Sequence, residues 1–175
     1  MILRHHHFIL RPWRMDDASS IVKYGNNRNI SRNLRDGFPH PYTMQDAEQF
    51  LSMATDPEFT SLFWAIEVDG EAVGGIGVSP LTDVYRRSAE VGYWLGEPFW
   101  GRGIATEALK LVTNYAFSHL DVVRIQAGIY EWNPASGRVL EKAGYYFEGR
   151  KKYHITKDGK TMDELMYVMI HESVL

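Results

Sequence analysis

The chain of 175 residues has no cysteine. Disulfides, thiolate nucleophiles and cysteine zinc sites are therefore excluded. It has no apolar run long enough to cross a bilayer and no visible leader pattern, so a soluble, cytoplasmic protein is the expectation. It has no strong charge of either sign. A net charge of −3 gives no general affinity for polyanions, so neither nucleic acid nor a membrane surface is an expected partner. No G-K-[ST] is present, which excludes a Walker nucleotide loop. Repeats, low-complexity tracts and linkers are missing too. A length of 175 residues then suits a single domain over 1–175, with a sizeable core.

What is there is globular: 45% hydrophobic and 13% aromatic residues. The organising stretch is S-A-E-V-G-Y-W-L-G-E-P-F-W-G-R-G-I-A-T-E-A-L, beginning at Ser88. Ala89, Val91, Tyr93 and Leu95 alternate with Ser88, Glu90, Gly92 and Trp94, which is a strand pattern. Gly96-Glu97-Pro98 stops the strand, and Gly101-Arg102-Gly103 follows. Ile104, Ala108, Leu111, Val112, Tyr115 and His119 then recur at helical spacing. A strand thus runs into a glycine loop that opens a helix. The first helical turn has unpartnered N–H groups and a partial positive charge, and glycine lets a ligand come close to backbone. A phosphate or pyrophosphate is the natural guest. The dinucleotide fingerprint fits poorly, because Thr106 stands where its third glycine belongs and four residues separate strand from glycines.

The rest of the chain reads in order. His5, His6 and His7 precede a strand from Phe8 to Trp13; neighbouring histidines on a strand point to opposite faces, so no metal site is expected. Asp16 or Asp17 can cap a helix with Ala18, Ile21 and Val22. Residues 26–36 are polar and contain Arg28, Arg32 and Arg35; Thr43 caps a second helix with Ala47, Phe50, Leu51 and Ala54 on one face. Strands cover 62–68 and 72–78 about the Asp69-Gly70 turn. Beyond the organising stretch come a strand from Val122 to Tyr130, a helix with Asn133 as N-cap and Pro134 at its first position, and strands over 145–156 and 162–170. The apolar run from Leu165 to Ile170 predicts burial on both faces. The order β-α-α-β-β-β-α-β-α-β-β predicts a mixed α/β (α+β) fold, a mixed sheet of about seven strands with helices on both faces.

The run A-E-V-G-Y-W-L-G-E-P-F-W-G-R-G-I-A-T-E-A resembles the acetyl-CoA signature of the GNAT superfamily of N-acetyltransferases, [RQ]-x-x-G-x-[GA]. Trp100 takes the first position, Gly103 the fourth and Ala105 the last. F-I-L-R-P-W near the start and N-P-A-S-G-R-V-L-E-K-A-G-Y near the end extend the resemblance over nearly the whole chain, and F-P-H-P-Y-T-M-Q-D-A-E-Q-F-L with N-P-A-S-G-R-V-L-E-K resembles the branch that acetylates ribosomal-protein N-termini. It implies a largely antiparallel, twisted central sheet. It also implies acetyl-CoA as cosubstrate, with the backbone of Tyr93, Trp94 and Leu95 holding the pantetheine arm. The amides of Gly101, Arg102, Gly103, Ile104, Ala105 and Thr106 would hold the pyrophosphate, and Asn133 and Ser136 would contact the coenzyme.

Transfer of an acetyl group from a thioester to an amine needs a base for the amine and, at best, a proton donor for the leaving thiolate. Glu90 is either that base, directly or through water, or an ion-paired strand residue. Ser136 is the candidate donor, because Leu140 occupies the place where many relatives resembling this chain carry a tyrosine. The side chains of Tyr93 and Leu95 read as core. The expected acceptor is the α-amine of a peptide or protein. Arg28, Arg32, Arg35, Arg150, Lys151 and Lys152 would disfavour a polycation there. A small amine such as a polyamine or aminoglycoside, and a non-catalytic acyl-CoA-binding module, are the alternatives. Monomer and homodimer are equally compatible with the sequence.

Overall fold

In a computed structural model, which describes residues 1–58 and 61–174, eight strands form one sheet. They are β1 (Leu3–His5), β2 (Phe8–Arg11), β3 (Leu62–Val68), β4 (Glu71–Pro80), β5 (Ser88–Leu95), β6 (Arg124–Tyr130), β7 (Tyr146–Lys157) and β8 (Lys160–Ile170). Their spatial order is β1-β2-β3-β4-β5-β6-β8-β7. Five helices join them: α1 (Ala18–Gly25), α2 (Arg28–Ser31), α3 (Met44–Ala54), α4 (Ile104–His119) and α5 (Pro134–Lys142). Among the described residues, no helix is long and apolar enough to cross a membrane.

Each face of the sheet carries its own apolar layer. Ile104, Ala108, Leu109, Val112 and Ala116 form the inner stripe of α4, and they pack with Leu140 of α5 on Ile66, Val91, Ile125 and Ile129. Leu109 and Val112 are fully buried, which is about 1.5–3 kcal/mol of transfer free energy for each such side chain. On the other face, Ile21 of α1 and Ala47 and Leu51 of α3 pack with Trp13, Tyr42 and Ala65. Thr43 and Asp46 close a reciprocal capping box at the start of α3, as the sequence suggests. In the run 165–170 on β8, the consecutive residues Met166, Tyr167 and Val168 are all buried, so both faces are covered there.

Four expectations are corrected. An extra strand, β1, pairs with β2, and His6 and His7 form the turn between them rather than belonging to a strand. The first strand read from the sequence ends at Arg11 and not Trp13, because Pro12 has no N–H for the ladder. Residues 28–31 form the short helix α2, capped by Asn27. Asp17 does not cap α1 with its side chain. It accepts from the Arg14 N–H at 2.8 Å and from both terminal nitrogens of buried Arg11 at 2.8 and 2.7 Å.

Candidate active site

One pair of neighbouring strands is parallel. β5 and β6 pair only through Ser88–Arg124, Ala89–Ile125 and Glu90–Gln126. Beyond Glu90 the two strands separate, while β5 continues in regular register against β4 as far as Leu95. The separation does not start from a bulge at Gly92, which pairs normally with Gly77. It starts where the parallel ladder ends, and it leaves backbone groups of 91–95 and 127–129 facing one another across a gap.

That gap is the floor of a cleft of about 610 Å³. Tyr93, Trp94, Leu95, Gly101, Gly103, Ile104, Ala105, Thr106, Asn133 and Ser136 all line it. Two expected site residues do not. Arg102 turns its guanidinium over the Phe99 ring, 5.1 Å from the centroid, and Glu90 lies outside the lining and is ion-paired with Arg35.

The glycine loop leaves open space over its backbone. Gly101 and Gly103 have φ of 74° and 77°, the left-handed region that favours glycine, and a Cβ on either would meet no heavy atom within 4 Å. Gly103 is the N-cap of α4, and the first intrahelical bond is Glu107 N–H to Gly103 O. The N–H groups of Ile104, Ala105 and Thr106 precede that bond and have no intrahelical acceptor. Trp100 holds the loop to the strand: its indole nitrogen donates to Leu95 O at 2.7 Å.

At the opposite wall, Asn133 caps α5 by accepting from the Ser136 N–H at 3.3 Å, with Pro134 at the first helical position. Ser136 Oγ lies 2.7 Å from the Tyr93 hydroxyl. The Tyr93 side chain is thus not simply core. Burial pushes its phenol up to about 12, opposed by the Ser136 hydrogen bond.

The segment around α2 roofs the cleft. Asn27 and Asn29 donate to Glu97 at 2.6 and 3.1 Å, next to the glycine loop, and these bonds hold the Glu97 carboxyl below its ordinary range. Trp132 donates to Asn33 at 3.1 Å, and Arg32 lies over its ring. Arg28 pairs with Asp158 and Lys157 with Asp36, so the β7–β8 turn grips the same segment.

Charge in the lining is one-sided. Arg32, Arg138 and Lys142 line the cleft, and no aspartate or glutamate does among the described residues. Four of the six bases expected to govern the acceptor are neutralised locally: Arg28 by Asp158, Arg35 by Glu90, Arg150 by Glu131 and Asp163, and Lys151 by Glu164. Arg138 and Lys142 were missed by the sequence reading, although they stand four residues apart on the helix that begins with Asn133. Glu164 was missed as well. Its carboxylate covers Gly128 of the cleft floor so closely that a Cβ there would collide with it.

The cleft thus brings together a helix N-terminus opened by left-handed glycines, a splayed parallel pair, and Arg138 and Lys142, which have no ion-pair partner among the described residues. The chain belongs to the GNAT family of N-acetyltransferases: the family model for the acetyltransferase (GNAT) domain matches residues 7–146. It is 31% identical over 176 residues to the uncharacterized N-acetyltransferase YoaA of Bacillus subtilis (strain 168), covering 97% of this chain and 96% of that one. Spermidine N(1)-acetyltransferase of Escherichia coli (strain K12) is 26% identical over 158 residues, 89% of this chain and 81% of its own length. Among solved structures, Mycobacterium smegmatis RimJ in complex with CoA-disulfide superposes with a TM-score of 0.82 at 29% identity, covering 95% of this chain and 83% of that one.

Proposed function

We propose that this protein moves the acetyl group of acetyl-CoA directly to the α-amine of a peptide or protein N-terminus. The carrying observation is the cleft lining: a helix N-terminus and three cations without a carboxylate. A pyrophosphate seated on the amides of Gly101 to Thr106 receives the helix-terminal donors and the open space above Gly103. The edge of Tyr93, Trp94 and Leu95 that β6 has left, their other edge being paired with β4, suits the amides of a pantetheine arm, which would add to the sheet as an extra strand would. Asn133 and Ser136 flank the far side. Arg138 and Lys142 suit the remaining phosphate.

No covalent intermediate is needed. Glu90, on the face of β5 opposite Tyr93 and at the point where the strands part, is the base in this reading, directly or through water. It must release Arg35 to act. Ser136 is the donor to the leaving sulfur.

Two lines favour an α-amine acceptor. The chain is 32% identical over 102 residues to the putative ribosomal N-acetyltransferase YdaF of Bacillus subtilis (strain 168). A polyamine carries several charges that the cleft lining does not balance, whereas an α-amine has an ordinary pKa of about 7.7–8.0 and sheds its proton readily at neutral pH. The similarity to spermidine N(1)-acetyltransferase favours the second reading, a polyamine acceptor. Competition with acetyl-CoA among spermidine, an aminoglycoside and short peptides with free or blocked N-termini decides between them, read by thiol release. Free-N-terminus peptides are expected to turn over fastest and blocked ones not at all. Faster turnover of spermidine than of every free peptide would replace the α-amine by the polyamine.

A further inference from the structure

We infer that the Tyr93 side chain is a positioning group for acetyl transfer: its hydroxyl donates to Ser136 Oγ and so aims the serine proton into the cleft, at the departing sulfur. This rests on the reading of the cleft as an acetyl-CoA site.

The geometry is specific. Tyr93 stands on the part of β5 that has left β6, and Ser136 in the first turn of α5, so the pair bridges the two walls of the cleft. The oxygens are 2.7 Å apart, a distance at which either hydroxyl can donate, and in the inferred arrangement the phenol is the donor. The other acceptor in reach of the phenol, the Ser136 carbonyl, is at 3.3 Å. Among the described residues, Ser136 Oγ has no further hydrogen-bond partner. A serine hydroxyl has one proton and two lone pairs. When the phenol fills one lone pair, the serine proton must point away from Tyr93, and the open direction is the cleft.

The phenol suits this task because it keeps its own proton. Burial holds it at about 12, so it remains a donor across the neutral range. Leu140, one turn further along α5, is fully buried and has no proton to offer.

The chemistry balances without a further reactant. The amine nitrogen forms a bond to the acetyl carbon, the carbon–sulfur bond breaks, and its electron pair stays on sulfur. The nitrogen sheds one proton and the sulfur gains one. Ser136 supports the sulfur with its hydroxyl hydrogen as the charge appears, and Tyr93 fixes that hydrogen's direction.

Coenzyme A is the probe for the test. The pH at which the bound coenzyme forms its thiolate is read by ultraviolet absorbance for the parent, Tyr93→Phe, Ser136→Ala and the double variant, with affinity measured by calorimetry. The parent is expected to hold the bound thiol's pKa below that of free coenzyme A. Tyr93→Phe should raise it nearly as far as Ser136→Ala does, and the double variant should match Ser136→Ala alone. With acetyl-CoA and an accepted amine, kcat for Tyr93→Phe should fall about tenfold while KM for acetyl-CoA stays within about twofold. A thiol pKa and kcat at parent values in Tyr93→Phe would overturn the inference, and so would strictly additive effects in the double variant. Failure of the parent to bind coenzyme A would overturn the acetyl-CoA reading beneath it, a result distinct from a bound coenzyme that ignores Tyr93.

Discussion

The indole nitrogen of Trp100 donates to the carbonyl of Leu95 across 2.7 Å, tying the glycine loop to the end of β5. The Trp100 ring is 45% exposed, so this bond, more than packing, fixes the residue. The signature that this stretch resembles has arginine or glutamine at this position. Arginine, glutamine and tryptophan share one property, a side-chain N–H. In this chain the tryptophan donates that N–H to the strand end.

Trp100→Phe keeps the ring and removes the donor. Acetyl-CoA affinity is expected to fall about tenfold, matching the roughly 0.5–1.5 kcal/mol of one hydrogen bond. Trp100→Gln should retain most of the affinity. Calorimetry on both variants checks this, and equal affinity in Trp100→Phe would show that the loop holds its shape without the bond.

Arg11 is 2% exposed and is held by Asp17 at two nitrogens and by Glu67 at its third. The cluster joins β2, β3 and the entry to α1. Asp17→Ala would leave a buried guanidinium short of a counter-charge, at an expected cost of about 3–5 kcal/mol. Urea unfolding measures it. A loss below about 1 kcal/mol, the range of exposed ion pairs, would mean that water reaches Arg11 and replaces the carboxylate.

Burial raises the phenol of Tyr145, and it lifts those of Tyr42 and Tyr93 to about 12. In the unfolded chain a tyrosine ionises near pH 10. Between about pH 10 and 12 the native state therefore keeps protons that the unfolded state has lost, and stability falls as pH rises. Their contribution is complete below about pH 10. The urea midpoint should drop steeply across that window, with less slope in Tyr93→Phe. A midpoint that stays flat through it would contradict the burial of these phenols.

Glu90 pairs with an arginine that is 79% exposed. Such a pair contributes about 0–1 kcal/mol, so Glu90→Gln should leave stability nearly unchanged. If Glu90 is the base, kcat falls by about 10² or more with little change in coenzyme affinity. Glu164→Gln, which alters the carboxylate packed behind Gly128, should keep kcat within a few-fold of the parent. An unchanged kcat in Glu90→Gln would leave Glu90 as a partner of Arg35 only.

Local signals in the sequence carried far. Alternation marked β5, helical spacing marked α4, and Thr43 and Asn133 stood at caps that the structure contains. The glycine loop lies at the helix start that its motif implies. The rest depends on contacts between distant residues. Strand β1 has three residues and a turn of two histidines, with no alternation long enough to notice. Helix α2 has four residues, too few for an apolar period. Arg35 meets Glu90 across 55 positions, and Tyr93 meets Ser136 across 43. Each half of those pairs looks ordinary alone, and only the sheet order brings the halves together. Arg138 and Lys142 were within reach, since positions four apart share a helix face with the Asn133 cap close by.

The most direct test is calorimetric titration of acetyl-CoA into the parent and into Gly103→Val. Gly103 has φ of 77° and an open Cβ position above the start of α4, where the pyrophosphate is proposed to sit. A branched side chain there would fill that space and strain the backbone by about 1–2 kcal/mol, a cost a folded domain can absorb. Micromolar binding by the parent and none by a folded Gly103→Val is the expected result. Binding of equal strength in the two proteins would place the coenzyme elsewhere and contradict the assignment of the cleft.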